Sequence, residues 1–245
     1  MKGYTETYRV NGSQADMWGH LKYSTLLQMF QDTADRHTAM HGVSNREMQE
    51  NHGASWVVAK IWIRLHRPIR CGDTISVATY QRPLRGIQFV RDTEILDEQG
   101  KVIGEGVSVW ILIDRETHVF LGPDTARRIT QDHGSIYDSD KTVKIPKMRM
   151  PEGLMPVFEK TFMYSDTDMN GHVNNTRYLD AICDACRLER QPGKFITELQ
   201  LGYKVECRAG ETVTLLAGEQ DGSLYAQGRA EDGLRFEAKL TLADM

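Results

Sequence analysis

The chain has 245 residues, of which 40% are hydrophobic and 26% are charged, as is usual for a globular protein. Its formal net charge of −4 gives no support to a nucleic-acid partner. No apolar run approaches the ~20 residues that a membrane span needs, and no apolar leader follows Met1, so a cytoplasmic location is expected.

The first half of the chain is predicted to contain one strand, one long helix and then four strands. Apolar residues at helical spacing predict the long helix, and Gly42 is well placed to end it. The predicted segments are a strand at 5–10, the long helix at 23–40, a short helix or loop at 44–52, strands at 55–65, 74–81, 87–96 and 102–114, and a short helix at 124–132.

The second half repeats this order after a stretch, 133–156, that has little periodicity, three prolines and two glycines. A strand leads into a polar loop and a helix, and four more strands follow. The predicted segments are a strand at 157–164, a helix at 176–188, and strands at 196–205, 212–219, 224–231 and 234–242.

Residue matches support an internal repeat. The segment Asp16-Met17-Trp18-Gly19-His20-Leu21 aligns with Asp168-Met169-Asn170-Gly171-His172-Val173, and Arg70-Cys71-Gly72-Asp73-Thr74 aligns with Arg208-Ala209-Gly210-Glu211-Thr212. Chance similarity is the alternative. The predicted domains are an N-terminal repeat at 1–134, a linker at 135–155 and a C-terminal repeat at 156–245.

One long helix wrapped by a curled antiparallel sheet is the hot-dog arrangement. Two such copies in one chain would imitate a hot-dog dimer and protect one edge strand of each copy. The predicted fold class is therefore α+β, a tandem (double) hot-dog. The chain is expected to be a monomer that imitates a dimer, or a homodimer.

A stretch rich in carboxylate, amide and imidazole side chains, Ser165 to Tyr178, lies where a predicted strand meets a predicted helix. A helix N-terminus offers unpaired N–H groups and a partial positive charge, which can stabilise an oxyanion. This location favours chemistry. The alternative is a polar loop in which Asn174 or Asn175 caps the helix.

The two copies differ in this polar set. The second copy has Asn170 where the first has Trp18, and Glu206 aligns with Pro68. This difference indicates one working site, in the second copy, and one degenerate site. The alternative is that neither copy is active.

The four cysteines, Cys71, Cys183, Cys186 and Cys207, are too few and too scattered for a disulfide framework. Cys183 and Cys186 are spaced for one apolar helix face, which favours core packing over metal binding. No second cysteine pair completes a zinc site.

These motifs resemble those of the acyl-acyl carrier protein (acyl-ACP) thioesterases, the plastid-type family and its bacterial relatives. The family's Asp-x-Asn-x-His segment followed by Val-Asn-Asn stands here at 168–175, and its Tyr-x-x-Glu-Cys segment at 203–207. In the first half, Trp56-Val57-Val58 and Ser108-Val109-Trp110 also resemble it. Gly171 replaces the usual Gln, and shorter loops without a transit peptide point to a bacterial member.

The resemblance implies hydrolysis of a fatty acyl thioester on the phosphopantetheine arm of acyl carrier protein. Glu206 and His172 are expected to activate water, with Asn170 orienting the water or the carbonyl. Asp168 would hold the loop and orient the imidazole, and backbone N–H groups around His172 to Asn174 would stabilise the oxyanion. No metal and no resident cofactor are needed, because the substrate carries the phosphopantetheine.

Other reactions and functions remain open from the sequence. A covalent route would pass through an anhydride on Asp168 or a thioester on Cys207, whose alternative role is a small buried residue. A hot-dog acyl-CoA thioesterase, an enoyl-thioester hydratase and a non-catalytic acyl-binding module are the other candidates.

The acyl chain and the carrier protein each need a surface of their own. A basic rim for the acidic carrier is predicted at Arg177, Arg187, Arg190 and Lys194, with a solvated helix face as the alternative. The degenerate copy is predicted to hold the acyl chain, with core packing as the alternative for most of these positions. The predicted acyl-pocket residues are Leu26, Leu27, Phe30, Ala34, Trp56, Ala59 and Trp110.

Overall fold

The structure is a computed structural model, and it describes residues 3–131 and 139–245. Within these ranges it contains four α-helices and ten β-strands. The helices are α1 (Tyr23–Ala39), α2 (Asn45–His52), α3 (Pro123–Gln131) and α4 (Asn175–Ala185). The strands are β1 (Tyr4–Arg9), β2 (Ala54–Leu65), β3 (Thr74–Gln81), β4 (Phe89–Leu96), β5 (Val102–Asp114), β6 (Met155–Thr161), β7 (Lys194–Tyr203), β8 (Thr212–Gln220), β9 (Ser223–Ala230) and β10 (Gly233–Asp244).

The α+β fold class and the order of elements predicted from the sequence are confirmed, and the differences are at the ends of elements. Helix α4 ends at Ala185 instead of residue 188, because Arg187 adopts a left-handed φ of 55° that a helix cannot continue through. Strand β6 ends at Thr161, and a 3₁₀ turn at Tyr164–Asp166 replaces the predicted end of the strand. The first residues of the predicted linker, up to residue 138, lie outside the described residues.

The described chain divides into two compact units that interleave in sequence. The first comprises Met1–Arg9, Gln28–Ile61 and Asp73–Ile145, and the second comprises Val10–Leu27, Trp62–Gly72 and Pro146–Met245. Both copies of the aligned polar loop belong to the second unit. The domain boundaries drawn from the sequence stay a prediction.

The first unit contains β1, β3, β4, β5 and the part of β2 up to Ile61, in the strand order β1-β3-β4-β5-β2, with antiparallel pairing from β1 through β5. The Tyr8 hydroxyl on β1 donates to the carbonyl oxygen of Met29 on α1 at 3.2 Å. The buried guanidinium of Arg91 on β4 lies 2.9 Å from Nδ1 of His37, also on α1. These contacts attach the buried face of α1 to this unit's strands.

The described start of the predicted linker is attached to the same unit. The Ser139 N–H donates to the carbonyl oxygen of Gln81 at 3.1 Å, and its hydroxyl donates to the Asp92 carboxylate at 2.5 Å. Asp92 also accepts two hydrogen bonds from Arg82, and Lys141 pairs with Glu94. Side chains of β4 therefore hold residues 139–141 in place.

The second unit has the strand order β7-β10-β9-β8-β6, and every neighbouring pair is antiparallel. Helix α4 buries Tyr178, Leu179 and Ile182 and packs on β6, β8 and β9. The ring of Phe236 on β10 lies over Gly228, where a Cβ would collide with it. That glycine gives the aromatic ring the room it needs beneath α4.

Among the described residues, no helix is long and apolar enough to cross a membrane.

Candidate active site

A tight loop between β6 and α4 carries three of the four predicted catalytic side chains. The N–H of Asp168 donates to the carbonyl oxygen of His172 at 2.8 Å, and the N–H of Gly171 donates to that of Asp168 at 3.0 Å. The Asp168 carboxylate accepts the N–H of Asn170 at 2.8 Å. Gly171 has a φ of 76°, a left-handed conformation that costs other residues free energy. The aspartate and the glycine therefore stabilise the loop together.

The imidazole of His172 contacts the carboxylate of Glu206, which lies just after β7. His172 Nδ1 is 3.2 Å from Glu206 Oε2, and the two side chains are 20% and 38% exposed. A β-bridge between His172 and Arg208 brings this segment alongside the loop. Solvent and a bound molecule can both reach the pair, as general acid–base chemistry requires.

Asp168 and Asn170 lie on the same loop as His172. The hydrogen bond that the Asp168 carboxylate accepts comes from the loop main chain, which fits the predicted loop-holding role. Its predicted role in orienting the imidazole stays a prediction, because the carboxylate in contact with His172 Nδ1 belongs to Glu206. The side chain of Asn170 is exposed to solvent beside the loop.

The N-terminus of α4 begins directly after the loop. Asn174 caps it, accepting the N–H of Thr176 at 3.0 Å and the Thr176 hydroxyl at 2.8 Å. The prediction that the backbone N–H groups from His172 to Asn174 hold an oxyanion needs correction at Val173 and Asn174. The N–H of Val173 donates to the carbonyl oxygen of Cys207, and that of Asn174 donates to the carbonyl oxygen of Asp166, both at 2.8 Å. The helix terminus still contributes its partial positive charge.

Cys207 is fully buried beside Glu206. Burial is the main cause that raises the pKa of its thiol to about 11, while a hydrogen bond from Tyr178 lowers it. The Cys207 N–H donates to the Tyr178 hydroxyl oxygen at 2.9 Å. A thiol held neutral in this way is a poor nucleophile, so the structure favours the reading of Cys207 as a small buried residue.

The two cysteines of α4 differ in exposure. Cys186 is buried, as predicted, and burial raises the pKa of its thiol to about 12. Cys183 is partly exposed, and burial also raises the pKa of its thiol. Among residues 3–131 and 139–245, no group of three or more His, Cys, Asp or Glu side chains is arranged to hold a metal ion.

The first-copy loop has the same main-chain hydrogen bonds as the second. The N–H of Asp16 donates to the carbonyl oxygen of His20 at 2.7 Å, and the N–H of Leu21 donates to that of Ile69 at 2.8 Å. The Asp16 carboxylate accepts the N–H of Trp18 at 2.9 Å, and a β-bridge joins His20 to Arg70. These contacts match those of the second loop one by one. The internal repeat is thus present in the backbone as well as in the sequence.

Three side chains in or near the second-copy loop have no chemical equivalent in the first copy. At the equivalent positions Trp18 replaces Asn170, Pro68 replaces Glu206, and Leu26 replaces Tyr178. The imidazole of His20 is buried, with its Nδ1 3.9 Å from Asp16. The first copy therefore has the loop but lacks the imidazole–carboxylate arrangement of the second.

A cavity of about 280 Å³ lies between the first-copy loop and α4. Trp18, Tyr23 and Leu188 line it, together with the carboxylates of Asp184 and Glu189. Burial, followed by the neighbouring carboxylates, raises the pKa of Asp184. A phosphate-bearing ligand would meet like charges here, which makes this cavity unsuited to a phosphopantetheine arm.

The predicted acyl-pocket residues are divided between the two units. Leu26 and Leu27 are buried in the second unit. In the first unit Phe30 is buried, and Ala34, Trp56, Ala59 and Trp110 are partly exposed. Trp56 and Trp110 pack against a buried apolar cluster that consists of Val43, Met48, Ala54, Phe89, Leu112, Ala126 and Ile129. Core packing accounts for the two tryptophans, and an acyl-binding role for this set stays a prediction.

The predicted basic rim is balanced by nearby carboxylates. Arg177 lies 3.2 Å from Asp180, and Nε of Arg187 lies 2.8 Å from Glu189. Arg190 is 3.7 Å from the same Glu189, and Lys194 is exposed. The surface after α4 thus presents arginines in ion pairs, which reduces its positive potential.

Tyr178 is the site-adjacent residue that sequence reasoning placed only on the buried face of α4. Its hydroxyl contacts the peptide group that links Glu206 to Cys207. The sequence signal that could have indicated its role is the difference between the two copies, because the position equivalent to Tyr178 in the first copy is Leu26, which has no hydroxyl. Tyr203 belongs to the Tyr-x-x-Glu-Cys motif, and its hydroxyl donates to the carbonyl oxygen of Asn175 at 3.0 Å.

Comparison with solved structures places this fold among acyl-ACP thioesterases of the hot-dog type. An acyl-ACP thioesterase from Bacteroides thetaiotaomicron superposes with a TM-score of 0.87 and 23% identity, over 99% of this chain and 98% of the other. A 12:0-ACP thioesterase from Umbellularia californica superposes with a TM-score of 0.88 and 17% identity, over 100% and 98%. The tandem hot-dog prediction is confirmed.

Sequence relatives agree with this fold. A chloroplastic acyl-[acyl-carrier-protein] hydrolase of Cuphea viscosissima is 29% identical over 90% of this chain, and a chloroplastic palmitoyl-acyl carrier protein thioesterase of Cuphea hookeriana is 28% identical over the same share. The chain spans 54% of the length of each. The models of the acyl-ACP thioesterase N-terminal and C-terminal domains match residues 1–122 and 158–244. The chain therefore belongs to the acyl-ACP thioesterase family.

Proposed function

We propose that this chain hydrolyses the thioester between a fatty acyl group and the phosphopantetheine arm of acyl carrier protein. The observation that carries the proposal is the contact between His172 and Glu206, 3.2 Å apart and open to solvent. It lies beside the N-terminus of α4 and has no counterpart in the first copy. Membership of the acyl-ACP thioesterase family supports the substrate class.

In the proposed reaction the Glu206 carboxylate accepts a hydrogen bond from Nδ1–H of His172, which fixes the tautomer in which Nε2 acts as the base. Nε2 takes a proton from water as the water oxygen bonds to the thioester carbonyl carbon. The C–S bond then breaks, and the proton passes from the imidazolium to the departing thiolate. The products are a free fatty acid and the carrier protein with its free thiol.

The remaining groups of the site orient the substrate and stabilise charge. The exposed amide of Asn170 is suited to hydrogen bond the carbonyl oxygen or the attacking water. The partial positive charge at the N-terminus of α4 would stabilise the oxyanion. Asp168 would act by holding the loop through the N–H of Asn170. No resident metal or cofactor is needed for these steps.

A covalent route through Cys207 is disfavoured. The thiol is buried, and its pKa of about 11 leaves little thiolate at neutral pH. A water route that uses the exposed pair of His172 and Glu206 has no such obstacle.

A thiol-release assay tests the proposal. The purified chain is given palmitoyl and short-chain acyl carrier protein, and free thiol is measured, with His172→Ala as the matched inactive variant. Thiol release that depends on His172 is expected. Hydrolysis of acyl-CoA alone would identify an acyl-CoA thioesterase, hydration of an enoyl thioester would identify a hydratase, and binding without turnover would identify an acyl-binding module.

A further inference from the structure

We infer that Tyr178 is a positioning residue for the reaction proposed above, because its hydroxyl holds the peptide group that places Glu206 against His172. The hydroxyl oxygen accepts the N–H of Cys207 at 2.9 Å. That N–H belongs to the peptide bond joining Glu206 to Cys207. This inference rests on the proposed function and assigns Tyr178 no contact with substrate.

The segment that carries Glu206 has no regular secondary structure, so individual hydrogen bonds determine its position. Before Glu206, the N–H of Lys204 donates to the carbonyl oxygen of Arg235 at 2.8 Å. After it, the carbonyl oxygen of Cys207 accepts the N–H of Val173 at 2.8 Å. Between these two attachments, the N–H of Val205 makes a longer hydrogen bond, 3.4 Å, to the carbonyl oxygen of Arg235, and the N–H of Cys207 donates to the Tyr178 hydroxyl. Of these main-chain hydrogen bonds, the one to Tyr178 is made by the peptide group that directly follows Glu206. Because the adjacent peptide group is held in place, the Glu206 carboxylate stays within contact distance of the His172 imidazole.

Tyr178 is itself tightly held. It is buried on α4, with its ring centroid 4.8 Å from that of Phe236 and 5.3 Å from that of Phe162. Burial strongly raises the pKa of its phenol, which therefore stays neutral. A neutral, packed phenol is a rigid acceptor for the Cys207 N–H.

The first copy provides an internal comparison. It has the same loop hydrogen bonds, but Leu26 stands in the place of Tyr178 and Pro68 in the place of Glu206. A copy without the carboxylate also lacks the hydroxyl that would position it. The phenol is therefore not required for the shared loop to form, which argues against a purely structural role.

The test is a double-mutant cycle between Tyr178→Phe and Glu206→Gln. The phenylalanine keeps the ring packing and removes the acceptor. We expect Tyr178→Phe alone to lower kcat by about 10- to 100-fold with KM nearly unchanged, the scale of a misplaced catalytic group. In the Glu206→Gln background the same change should lower kcat by less than about twofold, because the group it positions is already gone.

Tyr8→Phe is the matched control, since the Tyr8 hydroxyl also makes hydrogen bonds at a partly buried position, to Met29 and Thr33, in the other unit. It should leave kcat and KM unchanged. An unchanged kcat in Tyr178→Phe would overturn the inference. So would an equal loss of kcat in the parent and Glu206→Gln backgrounds, which is the signature of a general structural effect.

Amide hydrogen exchange separates this inference from the proposed function, because it needs no substrate. In the unaltered protein the Cys207 amide should exchange slowly, and in Tyr178→Phe it should exchange at least about tenfold faster, while core amides of β9 are unchanged. Equal exchange rates at Cys207 in the two proteins would overturn the role of Tyr178. Failure of the unaltered protein to release thiol would instead overturn the proposed function.

Discussion

Glu206 and Pro68 occupy equivalent places in the two copies of the fold. The β-bridge between His172 and Arg208 in the second copy matches the bridge between His20 and Arg70 in the first. Glu206 lies two positions before Arg208, and Pro68 lies two positions before Arg70. The backbone arrangement is thus shared, and the carboxylate is not. The loop contacts serve folding in both copies, whereas only the second copy has a carboxylate at this position in contact with the loop imidazole, since His20 lies 3.9 Å from the Asp16 carboxylate of its own loop instead.

The first prediction concerns this contact. Glu206→Ala and His172→Ala should each lower turnover of acyl carrier protein substrates by at least ~10²-fold, the scale of a lost general acid or base. Because both side chains are partly exposed, the variants should keep nearly the thermal stability of the parent. Steady-state thiol release and a thermal melt measure the two effects.

His20→Ala is the matched control from the first copy. His20 is buried, so its loss should lower the free energy of unfolding, but turnover at temperatures where the variant is folded should fall far less than for His172→Ala. If Glu206→Ala and His172→Ala both turned over substrate at the parent rate, His172 and Glu206 would not be the catalytic pair.

The second prediction is that Cys207 is dispensable for the chemistry. Cys207→Ala should keep kcat within about a factor of ten of the parent, roughly 1.4 kcal/mol in the barrier. At neutral pH iodoacetamide should modify the exposed Cys71 and leave Cys207 unmodified, because the pKa of the buried thiol is about 11. Peptide mass spectrometry reads both sites, and an acyl group trapped on Cys207 would contradict the prediction.

The third prediction concerns the loop glycine. Gly171→Ala should lower the free energy of unfolding by ~1–2 kcal/mol, because φ is 76° there and a Cβ would meet no atom within 4 Å, so the cost is one of backbone conformation. Gly12→Ala is the control, since its surroundings are equally open and its φ is outside the left-handed region. Urea unfolding measures both variants, and equal losses would show that the φ value is not the cause.

The elements of the fold were predictable because each depends on short-range periodicity. Helix α1 was recognised from apolar spacing, and its end near Gly42 was correct within a few residues. The end of α4 was placed three residues too late, because the left-handed φ of Arg187 is not a property that this residue type signals. Short-range sequence patterns therefore predict which helices and strands are present, but they do not predict the residue at which each one ends.

The site was predictable only in part. Aligning the two copies, together with the family resemblance, led to His172 and Glu206, which the structure brings within 3.2 Å. The hydrogen bond from Cys207 to Tyr178 joins segments far apart in sequence and could not be read from either one. For the same reason the sequence predicts an oxyanion contact for the N–H of Val173, whereas the structure shows it donating to the carbonyl oxygen of Cys207.

The fourth prediction concerns docking of the acidic carrier protein. Reversing Arg187 and Arg190 to Glu should raise KM for acyl carrier protein substrates and leave KM for a small thioester unchanged. Both arginines pair with Glu189, so the reversal also leaves three carboxylates together and should repel an acidic partner. Raised ionic strength should reduce the difference between variant and parent.

Arg46→Glu is the control for this charge reversal. Arg46 is exposed and paired with Glu50 at 2.8 Å, much as Arg187 is paired, but it lies on α2 in the other unit. It should leave both KM values unchanged. Equal effects of the Arg187 and Arg190 reversal on the carrier substrate and the small thioester would reject docking at this surface.

The last prediction is that the acyl chain occupies the first copy. Ala34 on α1 and Ala59 on β2 are small, partly exposed residues of the first unit, where added bulk would shorten an acyl tunnel. Ala34→Leu and Ala59→Leu should each shift preference toward shorter acyl chains, because each buried methylene of the chain contributes ~0.8 kcal/mol and a shortened tunnel loses several of them. Competition among acyl carrier proteins of different chain length, with the released fatty acids quantified, measures the preference. Ala39→Leu, at the exposed end of α1, is the control and should leave the profile unchanged. Unchanged profiles in both Ala34→Leu and Ala59→Leu, with the proteins folded, would place the tunnel in the second copy instead.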